Sequence, residues 1–103
     1  MSEMYNQRAF ELKALADPNR LVILDQLKDG ERCACQILEL LRISQPTLSH
    51  HMRILCEAGL VNCRRDGKWM HYRINNEKFA ELGRLMEGFT TVSDKVDNLL
   101  TKC

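Results

Sequence analysis

The chain has 103 residues, with 15 Lys and Arg against 14 Asp and Glu, a formal net charge of +1 and five cysteines. That length suits one domain, 1–103, with a modest core that gains from pairing with a second copy. No apolar run approaches the length of a membrane span and Met1-Ser2-Glu3 begins no signal peptide, so the expectation is a cytoplasmic protein whose cysteines are reduced thiols rather than structural disulfides.

Charge is unevenly spread. Between Arg42 and Arg73 stand Arg42, Arg53, Arg64, Arg65, Lys68 and Arg73 against only Glu57 and Asp66, so this segment is positive and the remainder of the chain is negative. A local basic excess on a nearly neutral chain is the electrostatic footprint of a polyanion-binding face.

Taken in order, Tyr5 to Ala16 reads as a first helix with Phe10, Leu12 and Leu15 as its buried side. Asp17-Pro18 starts a second: Asp is a good N-cap and Pro is tolerated at the first helical position. This helix runs to about Lys28, presents Leu21, Leu24 and Leu27 on one face, and ends at Gly30. The stretch E-R-C-A-C-Q-I-L-E-L-L reads as a short third helix with Ile37, Leu38 and Leu41 toward the core. A brief turn at Arg42-Ile43 follows.

The fourth helix is the most informative. Ser44 can cap it, Pro46 falls in the first turn, and Leu48, Met52 and Leu55 form one apolar stripe. Off that stripe lie Gln45, Thr47, Ser49, His50, His51 and Arg53, short or planar donors and acceptors of the kind that reach base edges and phosphates. Gly59 stops the helix. Leu60 to Arg65 and Lys68 to Ile74 then pair as a hairpin about an Asp66-Gly67 turn with φ > 0 at both positions. Arg64, Arg65 and Lys68 crowd its tip.

Two short helices, a tight turn and a polar-faced second helix make a helix-turn-helix, and the basic hairpin makes its wing. The fold class expected is mainly α with a β-hairpin, a winged helix-turn-helix with four helices, the hairpin and a last helix. Its candidate contacts to double-stranded DNA are Ser44, Gln45, Thr47, Ser49, His50, Arg53, Arg64, Arg65 and Lys68. After Asn75-Asn76, the residues Phe79, Leu82, Met86, Phe89, Val92, Val96, Leu99 and Leu100 recur at three- and four-residue steps, which predicts a last helix of over twenty residues. Its stripe exceeds what a small core covers, so with the first helix it is expected to form a homodimer seam, which also presents two reading helices to two half-sites.

Cys33-Ala34-Cys35 is the candidate for chemistry. Residues two apart in a regular helix point about 200° from each other, so their sulfurs meet only where the helix is not yet wound, at its first turn. A helix N-terminus and Arg32 both favour thiolates there. The alternative is a pair of small, half-buried cysteines with no ligand. Cys56 and Cys63 flank apolar segments and read as packing residues, Cys103 is a spare or a third ligand, and His71 has no assigned role. Adjacent His50 and His51 cannot easily share an ion, so DNA or phosphate contact suits them better.

These motifs resemble a known family. A-L-A-D-P-N-R-L-V-I-L, E-R-C-A-C, S-Q-P-T-L-S-H-H-M-R-I-L, E-A-G-L-V and R-R-D-G-K-W-M-H-Y-R occur in the order and spacing of the ArsR/SmtB family of metal-sensing winged-helix repressors. The resemblance covers nearly the whole chain. It implies a homodimer joined by the first and last helices, bound to its operator when metal-free and released when loaded. Carried over, Cys33 and Cys35 are ligands of a thiophilic inducer. The pattern departs from the arsenic sensors at Leu38, where a third cysteine stands, and from the cadmium/lead sensors in lacking N-terminal cysteines. The last stretch has Asp94 and Asp97 but no His, so the family's zinc site of that type is not expected. As(III) or Sb(III) is therefore the favoured inducer, with Cys56 or Cys103 as a third ligand, and Cd(II) or Pb(II) is the alternative. No organic cofactor is expected. A rival keeps the fold and makes the thiols sensors of oxidants or reactive sulfur. Another is a constitutive DNA-binding protein with inert cysteines. An enzyme is not expected, because no cysteine has a positioned base.

Overall fold

The structure is a computed structural model and describes residues 2–91. The elements are α1 (Ser2–Leu15), α2 (Pro18–Leu27), β1 (Arg32–Cys33), α3 (Ala34–Leu41), α4 (Gln45–Glu57), β2 (Val61–Asp66), β3 (Trp69–Ile74) and α5 (Asn76–Gly88). Helices α2, α3 and α4 pack over a three-stranded antiparallel sheet of order β1-β3-β2. The core joins Ile23, Leu24 and Leu27 of α2, Ala34 and Ile37 of α3, and Leu48, Met52 and Leu55 of α4 to Leu60, Val61, Tyr72 and Leu82.

Local chemistry sets the helix ends. The Asp17 carboxylate accepts the Arg20 amide at 3.1 Å, with Pro18 in the first turn. Ser44 Oγ accepts the Thr47 amide at 3.2 Å, with Pro46 following. At the end of α4 the Gly59 amide donates to the Cys56 carbonyl at 3.0 Å and the Leu60 amide to the Leu55 carbonyl at 3.0 Å. This paired closure needs a left-handed residue after the cap, and Gly59 supplies it with φ +76°. Asn75 caps α5 and also donates to the Gly59 carbonyl at 2.8 Å, which ties the end of α4 to the start of α5.

Several expectations need correction. The stretch expected to be one third helix begins as the strand β1, with Arg32 opposite Tyr72 and Cys33 opposite His71. A two-residue strand is too short to show an alternating pattern. The hairpin turns one residue later than expected, because Asp66 pairs with Trp69 and leaves Gly67-Lys68 as the loop. Only Gly67 has positive φ, at +66°, so the turn has the type II′ pattern, with glycine first, rather than the expected form with two left-handed residues.

On α1 the buried residues are Glu11 and Ala14, while Phe10 and Leu12 are exposed. On α2 Leu21 is exposed and Ile23 takes its place in the core. Helix α5 closes at Gly88 rather than running past twenty residues. The Thr90 and Thr91 hydroxyls donate to the Glu87 and Gly88 carbonyls, at 2.7 Å and 3.5 Å, and compete with further winding. The expected continuation through Val92, Val96, Leu99 and Leu100 lies outside the described residues.

Candidate nucleic-acid interface and thiol site

Helix α4 presents its polar residues outward. Gln45, Ser49 and Arg53 are exposed and follow one another at four-residue steps, so they share a row along the helix, with His50 exposed beside them. Ser44 and Thr47 are exposed too, but each is engaged in the cap: the Ser44 hydroxyl donates to Thr47 Oγ1 at 2.8 Å. His51 turns the other way and is buried, which corrects its reading as a DNA or phosphate contact. Arg20 explains this. Its Nε donates to the Ala14 carbonyl at 2.6 Å and its Nη1 meets His51 Nδ1 at 3.1 Å, with the Asp17 carboxylate 3.9 Å from the same ring nitrogen. The guanidinium can only donate, so Nδ1 accepts and the ring is neutral. Burial, with Arg20 and His50 adding to it against Asp17, holds the His51 pKa below its ordinary value. The reading helix is thus fastened to the junction of α1 and α2.

The wing carries Arg64, Arg65 and Lys68, all exposed. They are not equivalent. Arg64 grips Glu31 through two hydrogen bonds, Nε at 3.1 Å and Nη2 at 2.6 Å. The bond from Arg64 holds the Glu31 carboxyl below the usual carboxylate range, while Glu31 pushes the guanidinium up. His71 stands 3.9 Å from the same carboxylate. Lys68 at the turn lies 6.0 Å from the centre of the Trp69 ring.

Glu31 also leads into the thiol pair. Cys33 is the N-cap of α3, with the extended backbone angles φ −81° and ψ 156°, and its amide donates to Gln36 Oε1 at 2.9 Å. The chain therefore turns between Cys33 and Cys35. Their Cα atoms are 5.3 Å apart and their sulfurs are joined as a disulfide. Convergence at an unwound first turn is as expected; a closed disulfide replaces the free thiols expected. Cys33 is buried and Cys35 half-buried. Among the described residues no group of three His, Cys, Asp or Glu gathers to hold an ion. Within the described residues Cys56 stands apart from this pair. It lies against Cys63 in another cavity, and Cys103 lies outside the described residues. Leu38, where the resembling arsenic sensors have a cysteine, packs against the core.

Three features were not visible in the sequence reading: the Arg20–His51 link, the Glu31–Arg64 pair and the Cys56–Cys63 contact. The first two join residues 31 and 33 apart in sequence; Cys56 and Cys63 are close in sequence but sit on different elements, α4 and β2, and none of the three carries a local periodicity. The one available hint was the odd acidic residue in E-R-C-A-C.

The model of the bacterial regulatory proteins of the arsR family matches residues 17–62, from the α2 cap through the start of the wing. An arsenical resistance operon repressor from Staphylococcus xylosus is 49% identical over 71% of this chain and 70% of its own length. The chain belongs to the ArsR family. An uncharacterised HTH-type transcriptional regulator from Methanocaldococcus jannaschii is 41% identical over 82% of this chain and 97% of its own length. The solution structure of a homodimeric winged helix-turn-helix DNA-binding domain from Mycobacterium bovis, a possible ArsR-family regulator, superposes with a TM-score of 0.72. It is 36% identical and covers 86% of this chain and 82% of that one. This ArsR-family chain is accordingly a winged helix-turn-helix DNA-binding regulator of transcription and not an enzyme. No described helix is long and apolar enough to cross a membrane.

Proposed function

We propose that this ArsR-family protein is a cytoplasmic repressor that acts as a single winged domain, binds operator DNA as a homodimer, and releases it when As(III) or Sb(III) is taken by Cys33 and Cys35. The observation that carries the reading is the convergence of these two sulfurs at the junction of β1 and α3. The arsenical resistance function in the Staphylococcus relative's name supports it. Soft, thiol-seeking chemistry is what such an inducer supplies, and the reduced dithiol is the form that receives it.

The chain's own connections explain how the site reaches DNA. Cys35 lies in the first turn of α3, which packs against α4. Cys33 is paired with His71 of β3, and β3 is the inner strand of the wing. Glu31, two residues before Cys33, holds Arg64 of the wing. A change in the Cys33–Cys35 backbone therefore pulls on both the reading helix and the wing. Gln45, Ser49, His50 and Arg53 are the proposed contacts in the major groove. Arg65 and Lys68 are proposed contacts to phosphate or minor groove, with Arg64 available only when Glu31 lets go. Ser44 and Thr47 hold the helix start that presents them.

The disulfide favours a second reading, in which oxidation of the same pair is the signal. One experiment separates the two. Fluorescence anisotropy on a duplex from the protein's own promoter region is measured with reduced protein, then with As(III), Sb(III), Cd(II), Pb(II) and Zn(II), and again after oxidation of the thiols. Release by As(III), abolished in Cys33→Ser and Cys35→Ser, is the expected result. Release by Cd(II) or Pb(II) alone reassigns the ion. Release only on oxidation replaces the metalloid reading, and tight binding under every condition overturns both.

A further inference from the structure

The described residues hold a second pair of cysteines that the reading above does not use. Cys56 is in the last turn of α4, and Cys63 is on β2 opposite Tyr72. Both are free thiols, Cys56 half-buried and Cys63 exposed. They line one cavity of about 200 Å³ with Met52, Met70, Arg53 and Ser49, so two thiols and two thioethers border the same space. From the geometry we infer that Cys56 and Cys63 form a site for a soft monovalent ion, Cu(I) or Ag(I), between the reading helix and the wing, and that filling it weakens DNA binding.

The donor set selects the ion. Thiolate and thioether sulfur favour soft metals over hard ones. Zinc normally takes four ligands, and no third His, Cys, Asp or Glu joins this pair among the described residues. A monovalent d10 ion is satisfied by two thiolates. On binding, each thiol loses its proton to solvent and two S–metal bonds form; no electron is transferred. Two thiolates and one monovalent cation leave a net charge of −1, and Arg53 at the cavity wall is the counter-charge. The consequence for DNA follows from Arg53, which is also a proposed DNA contact. An anionic complex beside it draws its guanidinium away from phosphate.

The test uses the full chain, reduced and without oxygen, titrated with Cu(I) against the chelator bathocuproine disulfonate. Cys33→Ser, Cys35→Ser and Cys103→Ser are combined to leave only Cys56 and Cys63, which makes the outcome independent of the function proposed for the first pair. This variant is expected to retain one tightly held Cu(I) per chain and to lose it when either Cys56→Ser or Cys63→Ser is added. Cys63 is exposed, so its replacement leaves the core intact, and a native circular dichroism spectrum verifies this. Failure of the three-site variant to bind Cu(I), or retention of the ion after Cys63→Ser in folded protein, overturns the site. Cu(I) is expected to weaken binding of the three-site variant to the promoter duplex by at least about 5-fold. Unchanged affinity at saturating Cu(I) overturns the competition with DNA.

Discussion

At the scale of single residues, the structure gives neighbouring side chains opposite tasks. His50 faces solvent and His51 faces Arg20. Because the folded state holds the His51 pKa below its ordinary value of 6.5, the unfolded chain protonates first as pH falls. The contribution to stability is therefore complete above about pH 6.5 and is lost as pH drops toward the lower folded value. Melting temperature should fall between pH 7 and pH 5, and His51→Gln, which keeps an acceptor for Arg20 but does not titrate, should flatten that dependence. An equal slope in the variant would remove His51 as its source. On the wing, Arg64 is already neutralised by Glu31, whereas Lys68 makes no ion pair among the described residues. Lys68→Ala should reduce the salt slope of DNA binding by roughly 1 and Arg64→Ala should change it far less. Equal reductions would mean that DNA takes Arg64 from Glu31.

At the scale of elements, the contact between α1 and α5 is ionic at its centre. Glu11 is fully buried on α1, with Lys78 Nζ at 3.1 Å, Arg8 Nη1 at 3.3 Å and a hydrogen bond from Gln7 at 2.8 Å. Arg8 reaches on to Glu81 at 2.6 Å, and Lys78 lies 3.6 Å from Glu81. Removing one member of a buried network leaves its partners uncompensated, so Glu11→Ala should lower unfolding stability by about 3 kcal/mol in urea denaturation. No change would mean that water reaches the carboxylate. This network explains why the apolar periodicity of α1 misled: its inward face is built around a paired carboxylate, and Phe10 and Leu12 are left outside.

At the scale of the whole molecule, those leftover residues acquire a meaning. Met4, Tyr5, Phe10 and Leu12 on α1, Met86 on α5 and its cap residue Phe89 are large, apolar and exposed, Phe89 at 69%. Covering one such side chain stabilises by about 2 kcal/mol, so this surface is our proposed homodimer seam. Met86→Glu with Phe89→Glu should give a monomer in sedimentation analysis and weaken operator binding on the order of 100-fold, through the loss of bivalent engagement. A dimer that survives both charges would place the seam elsewhere.

Local chemistry sufficed for what is decided within a few residues. Asp17-Pro18, Ser44, Gly59 and the Leu48-Met52-Leu55 stripe named their caps, stops and buried face correctly, because caps and periodicity act over one or two turns. The same reach made the winged helix-turn-helix and the polar row of α4 legible. Tertiary structure decided the rest, because the deciding energies join distant segments. Cys33 is extended because β3 pairs with it, and this brings its sulfur to Cys35. His51 is buried because Arg20, 31 residues away, binds its ring. Glu31 restrains Arg64 across 33 residues. No pattern in one stretch of sequence encodes which distant charge or strand will meet it; only the packed chain does.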